Sequence, residues 1–311
     1  MNKVLKKLLN GFVVNQIVTL WMIDCQEKSH IIRIKYIIMK KPFNGKAIYN
    51  PSGKAGEYSH WACNFYTGCS NDCNYCYCKK GYLGLHWTNK PQLKKCFKDV
   101  EDAFRIFSSE LERNMGDLRE KGIFFTFTSD PMLPETMPLT LRCVDLALDK
   151  GVPVQILTKR AEFVCDSRWH QLELEKRKMI AFGYTLTGRD DLEPGASSNH
   201  ERIAAMRVLH NIGYRTFTSI EPVVDPVASL SCIRLTSDCC DLFKVGLMSG
   251  KKDYTVADMA GLFEGIKEIQ SKNGNRFYLK DSFMNFLKMD RSMLGEGFVG
   301  IDYNIFKERQ E

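Results

Sequence analysis

The chain has 311 residues, is 44% hydrophobic and 26% charged, and carries a formal net charge of +7. This composition excludes a disordered chain, a collagen-like chain and a polytopic membrane protein, and the length suffices for one large domain or two small ones. Twelve cysteines are too few for a disulfide scaffold of this size, so a reducing cytoplasm is expected, with the cysteines as metal ligands, reactive thiols or core residues.

The charge is unevenly placed. Residues 1–46 contain nine Lys or Arg against two acids, Asp24 and Glu27, and hold the whole excess. The remainder is neutral, with 35 bases and 35 acids. It has no net field to attract a polyanion, so nucleic acid is a weakly supported partner. Residues 1–46 read as a basic N-terminal extension. Its apolar run Ile17–Ile23 is too short to span a bilayer, and no membrane partner is expected. Motif-bearing sequence begins at Lys46-Ala47-Ile48-Tyr49-Asn50, which makes Met39 an alternative physiological start.

The sharpest local signal follows: Tyr66-Thr67-Gly68-Cys69-Ser70-Asn71-Asp72-Cys73-Asn74-Tyr75-Cys76-Tyr77-Cys78. Cys-x3-Cys-x2-Cys spacing lets three thiolates wrap three corners of one cubic iron–sulfur cluster, and thiolate is the ligand this chemistry prefers. With no obvious fourth ligand, one iron stays open to a substrate or cofactor. The rival reading is a non-catalytic interaction protein with zinc on Cys73, Cys76 and Cys78 or His86. No second Cys-x2-Cys or His-x3-His completes such a site. A plain core role is the poorest fit, because Gly, Asn and Asp stand among these thiols.

Beyond the cysteines the chain alternates short apolar runs with helix-period stretches. Strands are predicted at Ile123–Thr128, Val154–Thr158, Ile180–Thr187, Arg215–Ile220, Leu242–Leu247 and Arg276–Lys280. Helices are predicted at Leu139–Lys150, Glu162–Arg177, Asn199–Asn211, 226–236 and Thr255–Ser271. Strand–helix alternation at this spacing means parallel pairing through right-handed crossovers, so the expected class is α/β, a partial (β/α)6 TIM-type barrel over 47–285. Residues 286–311 are expected as a C-terminal tail packing on it. In such barrels chemistry sits at the C-terminal strand ends. Those ends carry Thr128-Ser129-Asp130, Thr158-Lys159-Arg160, Thr187, Ser219 with Glu221, Lys244, and Lys280-Asp281, which together point to a polar pocket at one mouth. The vicinal pair Cys239-Cys240 is expected to be buried.

The spacing Cys69-x3-Cys73-x2-Cys76, with aromatic Tyr75 before the last cysteine, resembles the signature of the radical S-adenosylmethionine superfamily. Asn64-Phe65-Tyr66-Thr67-Gly68-Cys69, Thr128-Ser129-Asp130-Pro131, Val152-Pro153-Val154-Gln155-Ile156-Leu157-Thr158-Lys159 and Ser219-Ile220-Glu221-Pro222 are similar to the spore photoproduct lyase-like branch. The resemblance covers roughly 47–285. It implies a 4Fe–4S cluster on Cys69, Cys73 and Cys76, and S-adenosylmethionine as the second cofactor. Reductive cleavage would then give a 5′-deoxyadenosyl radical that abstracts hydrogen from an unknown substrate. An electron donor such as a flavodoxin or ferredoxin is implied as partner. Tyr75 is expected beside the adenine. Thr128, Ser129 and Asp130 occupy the place of the family's Gly-Gly-Glu stretch, with Asp130 as acceptor for the methionyl amino group. Thr187 is expected at the ribose. Glu221 and Lys244 are expected to face cofactor or substrate, and Lys159 to neutralise a carboxylate. The narrower alternative is a lyase acting on damaged DNA. No cysteine aligns securely with that enzyme's hydrogen donor, and the neutral body counts against it.

Overall fold

Runs such as Val154–Thr158 and Leu242–Leu247 are apolar on both faces, the pattern of strands covered on both sides, and both form strands with those bounds. The computed structural model describes residues 41–250 and 253–307. The expected extension up to Lys40, including the alternative start at Met39, lies outside the described residues. Ten strands are described: β1 (Ile48–Tyr49), β2 (Ala62–Cys63), β3 (Tyr66–Thr67), β4 (Gln92–Leu93), β5 (Ile123–Phe125), β6 (Val154–Thr158), β7 (Ile180–Thr185), β8 (Arg215–Val223), β9 (Leu242–Leu247) and β10 (Arg276–Leu279). Eight form one sheet in the order β1-β2-β5-β6-β7-β8-β9-β10. Only the β1/β2 pair is antiparallel; every later neighbour is parallel. β3 and β4 pair separately as a short antiparallel ribbon.

The main helices are α1 (Val100–Arg113), α2 (Met115–Lys121), α3 (Met137–Asp149), α4 (Asn199–Asn211), α5 (Pro226–Thr236), α6 (Val256–Asn273) and α7 (Asp281–Phe286). Their starts follow from local chemistry. Asp99 caps α1 through the Asp102 amide, Asp225 caps α5 ahead of Pro226, and Ser198 with Glu201 forms a reciprocal capping box on α4. The result is the expected partial TIM-type barrel. Ala62, Phe124, Ala181, Phe217, Leu242 and Tyr278, one residue from each of six strands, meet in one buried cluster with Tyr58 and Ile305. That cluster is the barrel's interior. Among the described residues no helix is long and apolar enough to cross a membrane.

Two of the differences from the predicted elements bear on the site. The run Glu162–Arg177 is not one helix. It breaks into a turn at Glu162–Cys165 and short helices at Arg168–Gln171 and Leu174–Lys178. Asp166 accepts from the Arg168 amide, and Trp169 turns inward, its indole N–H on the Phe163 carbonyl at 2.9 Å. A local side-chain cap and a buried aromatic override the helical period. Strand β5 stops at Phe125 rather than Thr128. The Phe127 amide donates to Asn64 Oδ1 (2.7 Å) and the Thr128 hydroxyl to the Tyr66 carbonyl (2.6 Å). These bonds to the first strand's loop take the chain out of the ladder and aim it at the mouth.

The end of the chain fills the opposite opening. Residues 297–299 lie alongside β10, with the Phe277 amide on the Gly297 carbonyl and the Val299 amide on the Phe277 carbonyl, both 2.9 Å. Ile305 enters the interior cluster, Phe306 packs against it, and Asn304 reaches the Glu120 carbonyl just before β5.

Candidate active site

The cysteine loop begins where β3 ends. Gly68 has φ +86°, and a side chain there would collide with the Thr88 and Lys90 carbonyls. Only glycine makes this turn without strain. The loop is then pinned by the Cys69 amide on the Thr88 carbonyl (3.0 Å) and the Asn74 amide on the Leu192 carbonyl (2.9 Å). Its far side rests on the segment after β7. The Gly195 amide donates to the Asn71 carbonyl at 3.1 Å, and a Cβ on Gly195 would sit 2.0 Å from the Ser70 carbonyl oxygen. Cys69, Cys73 and Cys76 all line one cavity of about 340 Å³ at the C-terminal end of the strands.

Asp130 is the hub of this wall. Its Oδ1 accepts from the Met132 amide (3.0 Å) and the Thr158 hydroxyl (2.6 Å), its Oδ2 from Asn71 Nδ2 (2.7 Å) and the Lys159 amide (2.8 Å). A carboxylate offers about four acceptor sites, and here all are used within the chain. Asp130 therefore ties the cysteine loop, β6 and its own turn together, and it is not placed to receive a ligand's ammonium as the sequence led us to expect. Its neighbour Ser129 has a buried hydroxyl with no hydrogen-bond partner, and it lines the cavity. The Lys159 ammonium stands 5.6 Å from the Tyr75 ring centre with no hydrogen-bond partner on it among the described residues, and both side chains line the same space.

The opposite wall comes from β8, β10 and the segment between β1 and β2. Glu221 Oε2 accepts from the Tyr58 hydroxyl (2.9 Å) and from the Lys280 ammonium (2.6 Å). Because Tyr58 donates there, the Ser219 hydroxyl, 2.6 Å from the Tyr58 hydroxyl oxygen, donates to Tyr58. Lys280 is wholly buried and also meets the Lys54 carbonyl (2.9 Å) and Glu57 Oε2 (3.6 Å). This polar cluster faces the thiols across the cavity.

Burial raises the thiol pKa of Cys69, to about 12, and also that of Cys73. Cys76 is held down at about 6, first by the hydrogen bond from the Cys78 thiol and then, against burial, by the loop and the Lys159 and Lys79 charges. Burial alone would lower Lys159, but the Cys73 and Glu193 charges outweigh it and raise its pKa. One cation thus stands ready beside a set of thiols that ligation would ionise.

Of the residues singled out from sequence, Cys69, Cys73, Cys76, Tyr75, Thr128, Ser129, Asp130 and Glu221 line this cavity. Thr187 does not. It is fully buried, its hydroxyl accepts from the Arg189 amide (3.2 Å), and its amide bonds to Asn199 at the start of α4; Thr185 lines the cavity instead. The strand ends before Thr187 and the chain turns away. Lys244 also lies behind the wall: its ammonium donates to the carbonyls of Tyr58 (2.7 Å) and Glu57 (3.3 Å). Cys239 and Cys240 are buried away from the cavity. Sequence reading missed Lys54, Tyr58 and Trp87 of the lining, and Glu193 behind it. The first three sit in irregular segments or, for Lys54, in a single helical turn, Gly53–Gly56, too short for periodicity to mark a face. Glu193 had one usable signal, an acid in a loop following a barrel strand.

Three thiols on the loop after β3 thus line the C-terminal cavity of a parallel barrel. No family model matches the chain. An uncharacterized protein of Methanocaldococcus jannaschii is 27% identical over 217 residues, which are 66% of this chain and 72% of that protein. Spore photoproduct lyase with bound S-adenosylmethionine and dinucleoside spore photoproduct has a similar structure, with a TM-score of 0.55 at 14% identity over 71% of this chain and 76% of its own. The same enzyme complexed with dinucleoside spore photoproduct gives 0.54 at 14% identity, over 74% and 78%. At these identities the likeness establishes the fold.

Proposed function

We propose that this chain is a radical S-adenosylmethionine enzyme, with a 4Fe–4S cluster on Cys69, Cys73 and Cys76 and S-adenosylmethionine in the adjoining cavity. The observation that carries the reading is the company the three thiols keep in one cavity: an ammonium on Lys159 that has no hydrogen-bond partner among the described residues, and an orphaned buried hydroxyl on Ser129. A buried polar atom without a partner is rare and marks a place for a ligand. Among the described residues no three His, Cys, Asp or Glu side chains converge tightly enough for a single metal ion. Zinc would need a fourth ligand to close its site, and no second Cys-x2-Cys or His-x3-His in the sequence supplies one.

When bound, the cluster supplies the electron that splits the sulfonium C–S bond and so generates the 5′-deoxyadenosyl radical. The chain's own residues do the rest. Lys159 neutralises the methionyl carboxylate. Ser129 and the turn Thr126–Ser129, held by the Thr126 hydroxyl on the Ser129 carbonyl (3.2 Å), receive the methionyl amino group. Asp130 fixes that turn. The Tyr75 ring flanks the adenine, and Thr185, in the place foreseen for Thr187, lies toward the ribose. Glu221, with Tyr58 and Lys280 behind it, forms the wall a substrate meets. The barrel's packed interior below keeps water from the radical. A flavodoxin- or ferredoxin-type donor would supply that electron to the cluster beforehand.

Anaerobic reconstitution tests this. The expected result is near-stoichiometric iron and sulfide, and 5′-deoxyadenosine with methionine after reduction in the presence of S-adenosylmethionine. Bound zinc, no iron and no deoxyadenosine would overturn it.

A further inference from the structure

Behind the cysteine loop lies an ion pair that the proposed chemistry does not use. Arg202 of α4 and Glu193 of the segment after β7 pair with both side chains at 0% exposure. Arg202 also donates to the carbonyls of Thr185 (2.5 Å) and Ser197 (2.8 Å). The second Glu193 oxygen accepts from the Tyr75 hydroxyl. An unbroken chain of hydrogen bonds therefore runs from the end of β7, through α4, to the one aromatic ring between Cys73 and Cys76. Two backbone bonds run beside it, Asn74 to Leu192 and Gly195 to Asn71.

A fully desolvated ion pair is a poor way to gain stability, since apolar residues of the same volume often do as well, but it fixes geometry where both partners have further hydrogen bonds to satisfy. Here both do, and the last partner is in the cysteine loop. We infer that Arg202 and Glu193 are positioning residues: through the Tyr75 hydroxyl they hold residues 69–78 in the conformation that turns the three thiols toward the cavity before any cluster is present. What the loop is positioned for rests on the function proposed above; the strut itself does not.

Hydrogen exchange of the metal-free full-length chain separates the two. Tyr75→Phe deletes one oxygen and keeps the ring. Glu193→Ala removes the acceptor, and Glu193→Gln restores an acceptor without the charge. Loss of a charge-assisted hydrogen bond is expected to speed exchange of the 69–78 amides by about tenfold or more in Tyr75→Phe and Glu193→Ala, with β6 and β9 unchanged in Tyr75→Phe. Glu193→Gln should recover part of the protection, and the Tyr75→Phe/Glu193→Ala pair should exchange no faster than Glu193→Ala alone. After reconstitution, the same variants should show a shifted cluster potential or lower iron content although every thiol is intact. Wild-type exchange in Tyr75→Phe, or additive effects in the double variant, would overturn the strut. If Glu193→Ala fails to fold, Tyr75→Phe still decides. A wild-type chain that takes up no iron would sink the cluster reading and leave the exchange result to judge the strut.

Discussion

Glu110 shows how much of a distant segment one side chain can hold. Buried on α1, it accepts from the amides of Lys46 (2.7 Å), Ala47 (3.0 Å) and Ile48 (2.7 Å), so the segment that stood out in sequence as the start of coherent text is the one a single carboxylate captures. Glu110→Gln puts an amide N–H among those donors and should cost about 3 kcal/mol, read by urea unfolding. Lys244 makes a pH prediction. Burial, and next the Lys280 charge, pull it down to about 7 from 10.5. Between those values the unfolded chain holds a proton the folded chain has released, so stability rises with pH across the window and is lowest below it. Lys244→Met should flatten that slope, measured by urea unfolding at both ends of the window. Replacing Cys69, Cys73 or Cys76 by Ala should abolish deoxyadenosine formation, whereas Cys239→Ala and Cys240→Ala should leave it largely intact. At this scale the thiols were legible because spacing within one loop is a local property. Thr187 was misjudged because a two-residue difference in where β7 ends decides which hydroxyl faces the cavity. Lys244 was misjudged because Tyr58, distant in sequence, lies in front of it.

Elements were read best where one signal acted alone. Helix α4 matches its predicted bounds, Asn199–Asn211, because a capping box opens it and Gly213 follows its end. Ser198→Ala should cost about 1 kcal/mol of stability, visible in the urea midpoint. The stretch 162–178 was unreadable as it stands because Trp169, besides Phe163 within it, needed Phe182 and Tyr214 from two other segments to explain its inward turn. The segment after β7 carried no periodic signal either, yet it backs the whole cysteine loop. Gly195→Ala forces it off Ser70 and should lower iron content on reconstitution more than it lowers the melting temperature, a comparison that separates a local role from a global one.

For the molecule as a whole, alternating strand and helix made the barrel legible, whereas the role of the tail was not, since residues 286–307 contain little regular structure and their partners lie on β10 and ahead of β5. Removing residues from Asp290 onward uncovers the sites of Val299, Ile305 and Phe306, each worth about 1.5–3 kcal/mol of burial. The truncated chain should unfold at markedly lower urea and bind a hydrophobic dye; an unchanged midpoint would mean the interior closes without it. The plug has a further meaning for turnover. Among the described residues the tube is stoppered at its base, and the thiols stand at its other mouth. On the function proposed above, substrate and sulfonium compound share that mouth, so inhibition by products should follow a compulsory order.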